Sequence, residues 1–292
     1  MPRALIAGCG YLGRATADLL HAAGWEVEGW TKSSEAADQL SDEPYVVKSV
    51  DVADRAGVMA QHGSFDVVIH CASTRGGTAL DYRQTYLAGV GNLIDRFIGS
   101  TILLTSSTSV YAQNNEEWVT ETSAAEPQHE RGQILRATEQ VVIKHGGIVA
   151  RLGGIYGPGR SALLERFLAG RSDIDPGNDR FVNQVHRDDA AAAIALLLSR
   201  YLADDNADGQ PAIFNVADDA PTRLSEIFAW LGTRLGPQPV APQRPVPPRK
   251  RGDGNKRVSN ARLRALGWEP RFPTFADGFE QSVLPHLAAT RH

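Results

Sequence analysis

The order of apolar and polar positions in the first half of the chain alternates between two patterns. Short runs that are apolar almost throughout are followed by longer segments in which apolar residues recur every three or four positions. Buried strands give the first pattern and amphipathic helices give the second, so the chain is expected to form parallel strands joined by helical crossovers. The predicted strands are ALIAG, EVEGW, YVVKSV, DVVIHCA, TILLTSS and GGIVARL, and the predicted helices span residues 12–23, 34–40, 82–98 and 133–144.

The pattern changes after the sequence YGPGR at residues 156–160. A helix is predicted over residues 162–169, a strand at FVNQV, a helix over 188–202 that begins with Asp188 as its N-cap, and a last strand at AIFNVAD. Residues 236–257 are rich in proline and charge, which is typical of a surface loop. We therefore predict an α/β fold with a doubly wound parallel sheet and a smaller C-terminal lobe.

The turn between the first predicted strand and helix has the sequence GCGYLG. Its G-x-G-x-x-G spacing allows a tight turn at Gly8, close approach of a pyrophosphate at Gly10 and close helix–strand packing at Gly13. The following helix N-terminus adds N–H donors and the positive end of a dipole. The sequence thus predicts a Rossmann-type domain in which Gly8, Gly10, Tyr11, Leu12 and Gly13 line a dinucleotide.

The order of the predicted strands and helices gives the domain boundaries. Residues 1–158 together with 187–217 are predicted to form the nucleotide-binding domain, and residues 159–186 with 218–292 are predicted to form the substrate-binding lobe.

The residues at the end of the second strand indicate whether the dinucleotide is NAD or NADP. An acidic residue there would bind the ribose hydroxyls of NAD, whereas a cation suits the additional phosphate of NADP. Thr31, Lys32 and Ser33 occupy this position, and Glu28 lies too early in the strand to bind the ribose. The sequence favours NADP, with NAD as the alternative if Lys32 is only a solvated loop charge.

Composition excludes several classes of function. A formal net charge of −4 disfavours a general nucleic-acid binder, which needs a basic surface. There is no apolar stretch of about 20 residues and no signal peptide, so we expect a cytoplasmic protein with no membrane span. With only two cysteines a disulfide framework is excluded, and the histidines lack the spacing of metal ligands, so no metal is expected.

Further motifs follow the predicted strands in a fixed order. SVDVAD, DVVIHCAS, LLTSSTSVYA and ARLGGIYGPGR, and later NQVHRDDAAAAI and FNVADDAPTRLSEI, resemble the extended short-chain dehydrogenase/reductases, that is, the NAD-dependent epimerase/dehydratase family. The resemblance covers nearly the whole chain. It implies that Asp51 and Val52 lie beside the adenine, and that the nicotinamide side of the cleft is lined by Cys71, Ala72 and Ser73.

The acid/base pair of this family, Tyr-x-x-x-Lys, is not retained. When Glu139 is matched to the glutamate that commonly follows the family's lysine by four residues, Arg131 takes the tyrosine position and Leu135 takes the lysine position. Arginine stays protonated and leucine carries no proton, so neither can exchange a proton with a carbinol. The chain therefore resembles the atypical members of the family, in which the fold and the cofactor site persist.

Three residues are candidates for catalysis. Ser107 occupies the position of the family's catalytic serine or threonine and could donate to a substrate oxygen, although a strand-end serine also caps backbone groups. Tyr86 replaces a family asparagine, and it either places a phenol near the cleft or packs between helix and sheet. His129 has a side chain suited to proton transfer near neutrality, but an exposed histidine at a helix start is the common alternative.

The substrate side carries several polar candidates. Arg160 and Asn183 come from segments expected to overhang the cleft, as does the basic run of Arg249, Lys250, Arg251, Lys256 and Arg257. Together they would suit an anionic small molecule, or else they are solvated charges. The resemblance also suggests a homodimer through the helices 82–98 and 133–144, and the alternative is that their apolar residues form a face buried within the monomer.

The sequence thus favours an NADP-dependent oxidoreductase or epimerase that acts on a small hydroxyl, carbonyl or sugar-like substrate with a noncanonical acid/base. Two alternatives remain. One is an isomerisation or elimination around a fixed NADP, and the other is a noncatalytic NADP-binding sensor or regulatory protein.

Overall fold

A computed structural model of the chain describes residues 1–74, 76–174, 177, 179–203, 211–238 and 254–290. Arg249, Lys250 and Arg251, which the sequence suggested as anion-binding residues, lie outside the described residues.

The elements occur in the following order. The strands are β1 (Arg3–Ala7), β2 (Glu26–Thr31), β3 (Val46–Ser49), β4 (Val67–His70), β5 (Thr101–Ser107), β6 (Trp118–Val119), β7 (Ile148–Leu152), β8 (Gly154–Tyr156), β9 (Phe181–Val182), β10 (Gln184–His186), β11 (Ile213–Val216), β12 (Thr222–Arg223) and β13 (Arg257–Val258). The helices are α1 (Tyr11–Ala22), α2 (Ser34–Asp38), α3 (Arg55–Met59), α4 (Ala79–Tyr82), α5 (Gly89–Arg96), α6 (Glu130–Lys144), α7 (Ala162–Leu168), α8 (Arg187–Leu202), α9 (Leu224–Leu235), α10 (Ala261–Ala265), α11 (Phe275–Gly278) and α12 (Leu284–Ala289).

Seven of the described strands form one parallel sheet in the order β11-β7-β5-β4-β1-β2-β3. The chain moves outward from β1 to β3 and then returns to place β4 on the other side of β1. A crevice therefore opens at the carboxyl ends of β1 and β4, which is where ligands bind in such sheets. The predicted doubly wound Rossmann fold is confirmed.

Apolar side chains cover both faces of the sheet. One core cluster joins the sheet to α1 and α8, and the second joins the opposite face to α3, α5 and α6. A third cluster forms around α7, α9 and α11. Leu263 and Trp268, which belong to the predicted lobe, pack in the first cluster, so part of that segment contributes to the main core. The division into a nucleotide-binding domain and a lobe stays a prediction.

The helical stretch predicted over residues 82–98 is present, but it is not a regular α-helix throughout. The structure has two α-helices, α4 and α5, separated by a wider π-helical turn at Arg83–Ala88. A second π-helical turn lies between α11 and α12, at Phe279–Val283. Such π-helical turns are rare in proteins, and a large share of them occur at functional sites. The first one borders the crevice.

The predicted N-cap of α8 is also corrected. His186, and not Asp188, occupies this position, and its Nδ1 accepts a hydrogen bond from the Asp188 N–H at 3.2 Å. The Asp188 carboxylate instead accepts from the Arg187 Nε at 2.8 Å. The imidazole satisfies the orphan backbone donor that a cap must satisfy, so the aspartate is left to pair with the arginine.

A buried network of charged and polar groups lies between β5, α6 and β7. The Glu139 carboxylate accepts from Arg151 Nη2 at 2.6 Å, from Arg151 Nε at 3.0 Å and from the Ser106 hydroxyl at 2.7 Å. Arg151 also donates to the Tyr111 hydroxyl, which in turn donates to Asn215 on β11. The network joins the carboxyl end of β5, next to Ser107, to three other elements.

We predict that Arg151→Gln destabilises the fold by about 3–5 kcal/mol, because it leaves the Glu139 charge buried without its bidentate partner. Arg136 is the matched control, since it contacts the same carboxylate at 3.3 Å from a partly exposed position. Arg136→Gln is expected to cost about 1 kcal/mol or less. Urea unfolding followed by tryptophan fluorescence measures both, and similar losses for the two variants would contradict the prediction.

Candidate functional site

The glycine turn fits its predicted role position by position. Gly8 has a φ of 104°, in the region that favours glycine, and a Cβ there would overlap the backbone of Ala72. A Cβ on Gly13 would overlap the Gly8 carbonyl oxygen, so α1 can approach the turn only because this residue has no side chain. At Gly10, in contrast, nothing lies within 4 Å of an added Cβ. The turn is packed on the protein side and open on the crevice side.

The N-terminus of α1 suits an anion. Gly10 is the N-cap residue, no side chain caps the helix, and its first turn contains no acidic residue. The N–H groups that begin a helix have no partner within it and carry the positive end of the helix dipole. An open glycine cradle in front of such a helix fits a dinucleotide, so the residues present are compatible with the cofactor that the sequence predicts.

The segment after β4 forms the opposite wall of the cradle. The Cys71 N–H donates to the Ala7 carbonyl at 2.8 Å, which continues the β1–β4 pairing into the turn. Burial raises the pKa of the Cys71 thiol to about 12, so this thiol is protonated at neutral pH and is not a nucleophile. Ala72 directly faces Gly8, and Ser73 follows at the surface. The predicted nicotinamide-side residues are thus brought to the crevice, and their contacts with a cofactor stay predictions.

The end of β2 places a cation beside a carboxylate. Lys32 Nζ lies 3.2 Å from Asp51 Oδ2, and the lysine side chain is 81% exposed. Thr31 donates its hydroxyl to the Ser33 carbonyl at 3.1 Å, and the Ser33 side chain caps α2. Thr31, Lys32, Ser33 and Asp51 therefore lie together at one end of the crevice.

Two further contacts define this end of the crevice. Glu28 accepts from Trp30 and Lys48, so its carboxylate is engaged along the sheet, as expected for a residue too early to bind a ribose. The side chain of Val52 is buried and its carbonyl accepts from Asn92 at 2.9 Å, which ties the segment after β3 to α5.

Ser107 is the last residue of β5 and is half-buried at the crevice edge. Its Oγ accepts from the Ser109 N–H at 3.2 Å, as the capping alternative expects. Among the described residues, its hydroxyl proton has no protein acceptor, so the same group can still donate to a ligand. Capping and donation are compatible because one uses a lone pair and the other uses the proton.

Tyr86 packs in an aromatic stack. Its ring centroid lies 5.1 Å from that of Tyr82 and 5.6 Å from that of His70, and the residue is buried. This position agrees with the alternative that Tyr86 packs between helix and sheet. A catalytic role of its phenol stays a prediction. Sequence reasoning did not single out His70, whose only signal was its place at the end of the apolar run of β4.

Arg131 and Leu135, which were matched to the family's tyrosine and lysine, both pack against neighbouring side chains. The Arg131 guanidinium lies 5.6 Å from the Tyr82 ring centroid, and Leu135 is buried in the second core cluster. Neither side chain supplies a phenol or an ammonium to the crevice. His129 caps α6 by accepting from the Gly132 N–H at 3.1 Å, so this helix begins earlier than predicted, and its acid/base role stays a prediction.

The residues that the sequence proposed for substrate binding do not all lie together in the structure. The Asn183 amide donates to the Lys256 carbonyl at 2.9 Å and accepts from the Val258 N–H at 2.7 Å, so it holds β13 in place. Lys256 is buried and donates to the Tyr111 carbonyl, and burial lowers its pKa to about 8. Arg257 stacks on Trp118 and Phe181. Arg160 lies elsewhere, against the ring of Tyr11.

In the part of the chain that the structure describes, no group of three or more histidine, cysteine, aspartate or glutamate side chains could hold a metal ion. None of the described helices is long and apolar enough to cross a membrane.

The parallel sheet, its glycine turn and the crevice beside it define the class of protein: a Rossmann-type fold with a nucleotide cradle. A model of the NAD-dependent epimerase/dehydratase family matches residues 4–217. The chain therefore belongs to the NAD-dependent epimerase/dehydratase family, as the sequence motifs indicated.

Individual relatives agree with this assignment. Protein YeeZ from Escherichia coli strain K12 is 30% identical over 250 residues, which cover 82% of this chain and 86% of that protein. A solved candidate NAD-dependent epimerase/dehydratase from Methylobacillus flagellatus is 28% identical with a TM-score of 0.78 and covers 100% of this chain and 99% of its own. The UDP-glucose 4-epimerase of Thermus thermophilus, solved with NAD, shares the fold with a TM-score of 0.77, 20% identity and coverage of 99% and 100%.

We predict that His70 makes the fold less stable in acid. Burial lowers its pKa from 6.5 to about 4, so below pH 6.5 the unfolded chain binds a proton that the folded chain does not. Stability is therefore complete above pH 6.5 and decreases as the pH falls toward 4, by about 2 kcal/mol between pH 7 and 5.

His70→Gln keeps a side-chain donor for the Thr85 carbonyl but cannot titrate, so its unfolding free energy should depend less on pH. The exposed His62 provides the control, and His62→Gln should keep the wild-type dependence. Denaturant unfolding at several pH values measures the slopes. Identical slopes in His70→Gln and wild type would show that the pH dependence arises elsewhere.

Proposed function

We propose that this protein is an NADP-dependent oxidoreductase or epimerase that acts on a small hydroxyl, carbonyl or sugar-like substrate through a noncanonical acid/base. The observation that carries the proposal is the glycine turn, in which Gly8 and Gly13 are closed by protein while Gly10 faces open space. A turn that served only to reverse the chain would not need an open position in front of an uncapped helix. Membership in the NAD-dependent epimerase/dehydratase family supports the same reading.

The choice of NADP rests on Lys32. Its ammonium is exposed at the end of β2, where a dinucleotide presents its adenosine ribose, and Ser33 and Ser34 add hydroxyl groups beside it. This ammonium pairs with the Asp51 carboxylate at 3.2 Å. A ribose phosphate would offer a dianionic partner in place of one carboxylate, which favours NADP over NAD.

The cofactor would supply hydride exchange at its nicotinamide, and the protein would supply positioning and proton transfer. Ser107 donates to the substrate oxygen as negative charge develops there. Tyr86 is the first candidate for the acid/base, because it stands at a family asparagine position beside the crevice, and His129 is the second. An anionic small molecule is the proposed substrate class, since the segments that the sequence places above the crevice are rich in basic residues.

A second candidate function has its own support. Arg131 and Leu135 stand where the family keeps its tyrosine and lysine, and both side chains are used in packing. A noncatalytic protein whose NADP occupancy regulates a partner would keep the cradle and lose that pair. This alternative is distinguished from an enzyme by turnover and not by cofactor binding.

We expect Gly10→Ala to fold normally and to bind neither dinucleotide well, because the added methyl group fills only the space that the cofactor needs.

Lys32→Gln should weaken NADP binding about tenfold and leave NAD binding within about twofold, since it removes one charge-assisted contact. Isothermal titration calorimetry measures the affinities, and thermal melting controls for folding. Equal losses of NADP and NAD in Lys32→Gln would refute phosphate recognition, and wild-type protein that binds neither would refute the cofactor assignment.

Ser107→Ala should lower turnover about a hundredfold while NADPH binds as in the wild type, because the lost donor acts on developing charge and not on the cofactor. Tyr86→Phe keeps the aromatic packing and should lower turnover only if the phenol transfers a proton. NADPH oxidation across a panel of carbonyl and nucleotide-sugar substrates is the assay. Tight NADPH binding without turnover of any member would favour the sensor over the enzyme.

A further inference from the structure

Tyr11, the residue after Gly10, has two guanidinium groups against its ring. The central carbon of Arg187 lies 5.0 Å from the ring centroid, and that of Arg160 lies 5.2 Å from it. The phenol donates to the Pro158 carbonyl at 3.1 Å, which fixes the direction of the ring. Two cations are thereby held beside the first residue of α1, at the cradle for the dinucleotide.

The two arginines reach this position from distant parts of the sequence. Arg160 closes a tight turn with Gly157, in which each backbone N–H donates to the other residue's carbonyl. A Cβ on Gly157 would lie only 2.6 Å from the Tyr11 hydroxyl oxygen, so the phenol packs directly against the backbone of this turn. Arg187 is the first residue of α8, directly after the buried cap His186.

The positive charge at Tyr11 exceeds the negative charge around it. Arg187 pairs with Asp188 through Nε at 2.8 Å. Arg160 is exposed, and within the described residues it makes no ion pair. With no acidic residue in the first turn of α1, one carboxylate faces two guanidinium groups and a helix N-terminus. Such an excess of positive charge favours the binding of an anion.

We propose that Arg160 and Arg187 bind the pyrophosphate of the dinucleotide, with Tyr11 as the platform that holds both guanidinium groups at the N-terminus of α1. The inference rests on the proposed function and adds to it a contact made by side chains, in addition to the glycine turn. Cation–π contact restrains the arginines before the ligand arrives, so little conformational entropy is lost when they bind it. Since NAD and NADP share the pyrophosphate, the pair strengthens both equally, whereas Lys32 discriminates between them.

This assignment changes the role that the sequence suggested for Arg160. It was expected to hold substrate, because its segment overhangs the cleft. Its place at the ring of Tyr11, one residue from Gly10, puts its charge on the cofactor side of that cleft.

Calorimetric titration of the full chain with NAD and with NADP tests the proposal. Arg160→Gln and Arg187→Gln should each weaken both nucleotides by the same factor, about tenfold, as expected for loss of a charge-assisted hydrogen bond. Arg160→Lys should lose less than Arg160→Gln, because it keeps the charge. The affinity of the glutamine variants should also depend less on salt than that of the wild type.

Arg14→Gln is the matched control. Arg14 lies on the same helix, is exposed and pairs with Glu43 away from the ring of Tyr11, so its loss should leave both affinities unchanged. A second variant, Tyr11→Leu, removes the platform but no charge and should weaken both nucleotides by about threefold, which is within the range of a cation–π contact.

Three results would overturn the proposal. Unchanged affinities in both glutamine variants, with wild-type binding intact, would show that the arginines do not contact the pyrophosphate, and the proposed function would stand. A loss confined to NADP would move Arg160 to the ribose phosphate. If the wild type bound neither nucleotide, the proposed function itself would be wrong and this inference with it.

Discussion

The charged pair between Arg151 and Glu139 lies where β5, α6 and β7 meet, and the candidate site is built around it. Neither side chain is exposed to water, so each charge is stabilised only if the other stays in place. The same carboxylate accepts from Ser106, which fixes the strand end that carries Ser107. The pair thus holds α6 against the sheet and sets the register of the helix on which Arg131 and Leu135 stand.

The two halves of the site are constrained to different degrees by packing. On the nucleotide side, close contact between Gly8, Gly13 and Ala72 leaves no freedom for substitution. On the reaction side, Arg131 and Leu135 stand at the positions that sequence matching assigns to the family's tyrosine and lysine, and their side chains contact the Tyr82 ring and the second core cluster. If that matching is correct, the two substitutions leave the Arg151–Glu139 pair and the glycine turn in place.

Much of the sheet was predictable because β1, β4, β5 and β7 are almost uninterrupted buried runs. The π-helical turn within the helical stretch 82–98 was not, because Tyr82, Tyr86, Val90 and Leu93 keep a spacing that an ordinary α-helix would also give. The glycine turn was found from local spacing alone. Contacts that join remote segments left no such signal, and neither the cap formed by His186 nor the arginines at Tyr11 could be located before the fold was known.

The π-helical turn at Arg83–Ala88 has a consequence for how this edge of the crevice can evolve. One helical residue corresponds to a rotation of about 100°. Loss or gain of one residue within the turn would rotate α4 and the Tyr82 ring relative to α5, while Val90 and Leu93 remained anchored in the core. A substitution at this edge changes one side chain, such as that of Tyr86 against His70, and leaves the direction of the helix face as it is. Short insertions and deletions are the changes that would give the crevice a different wall.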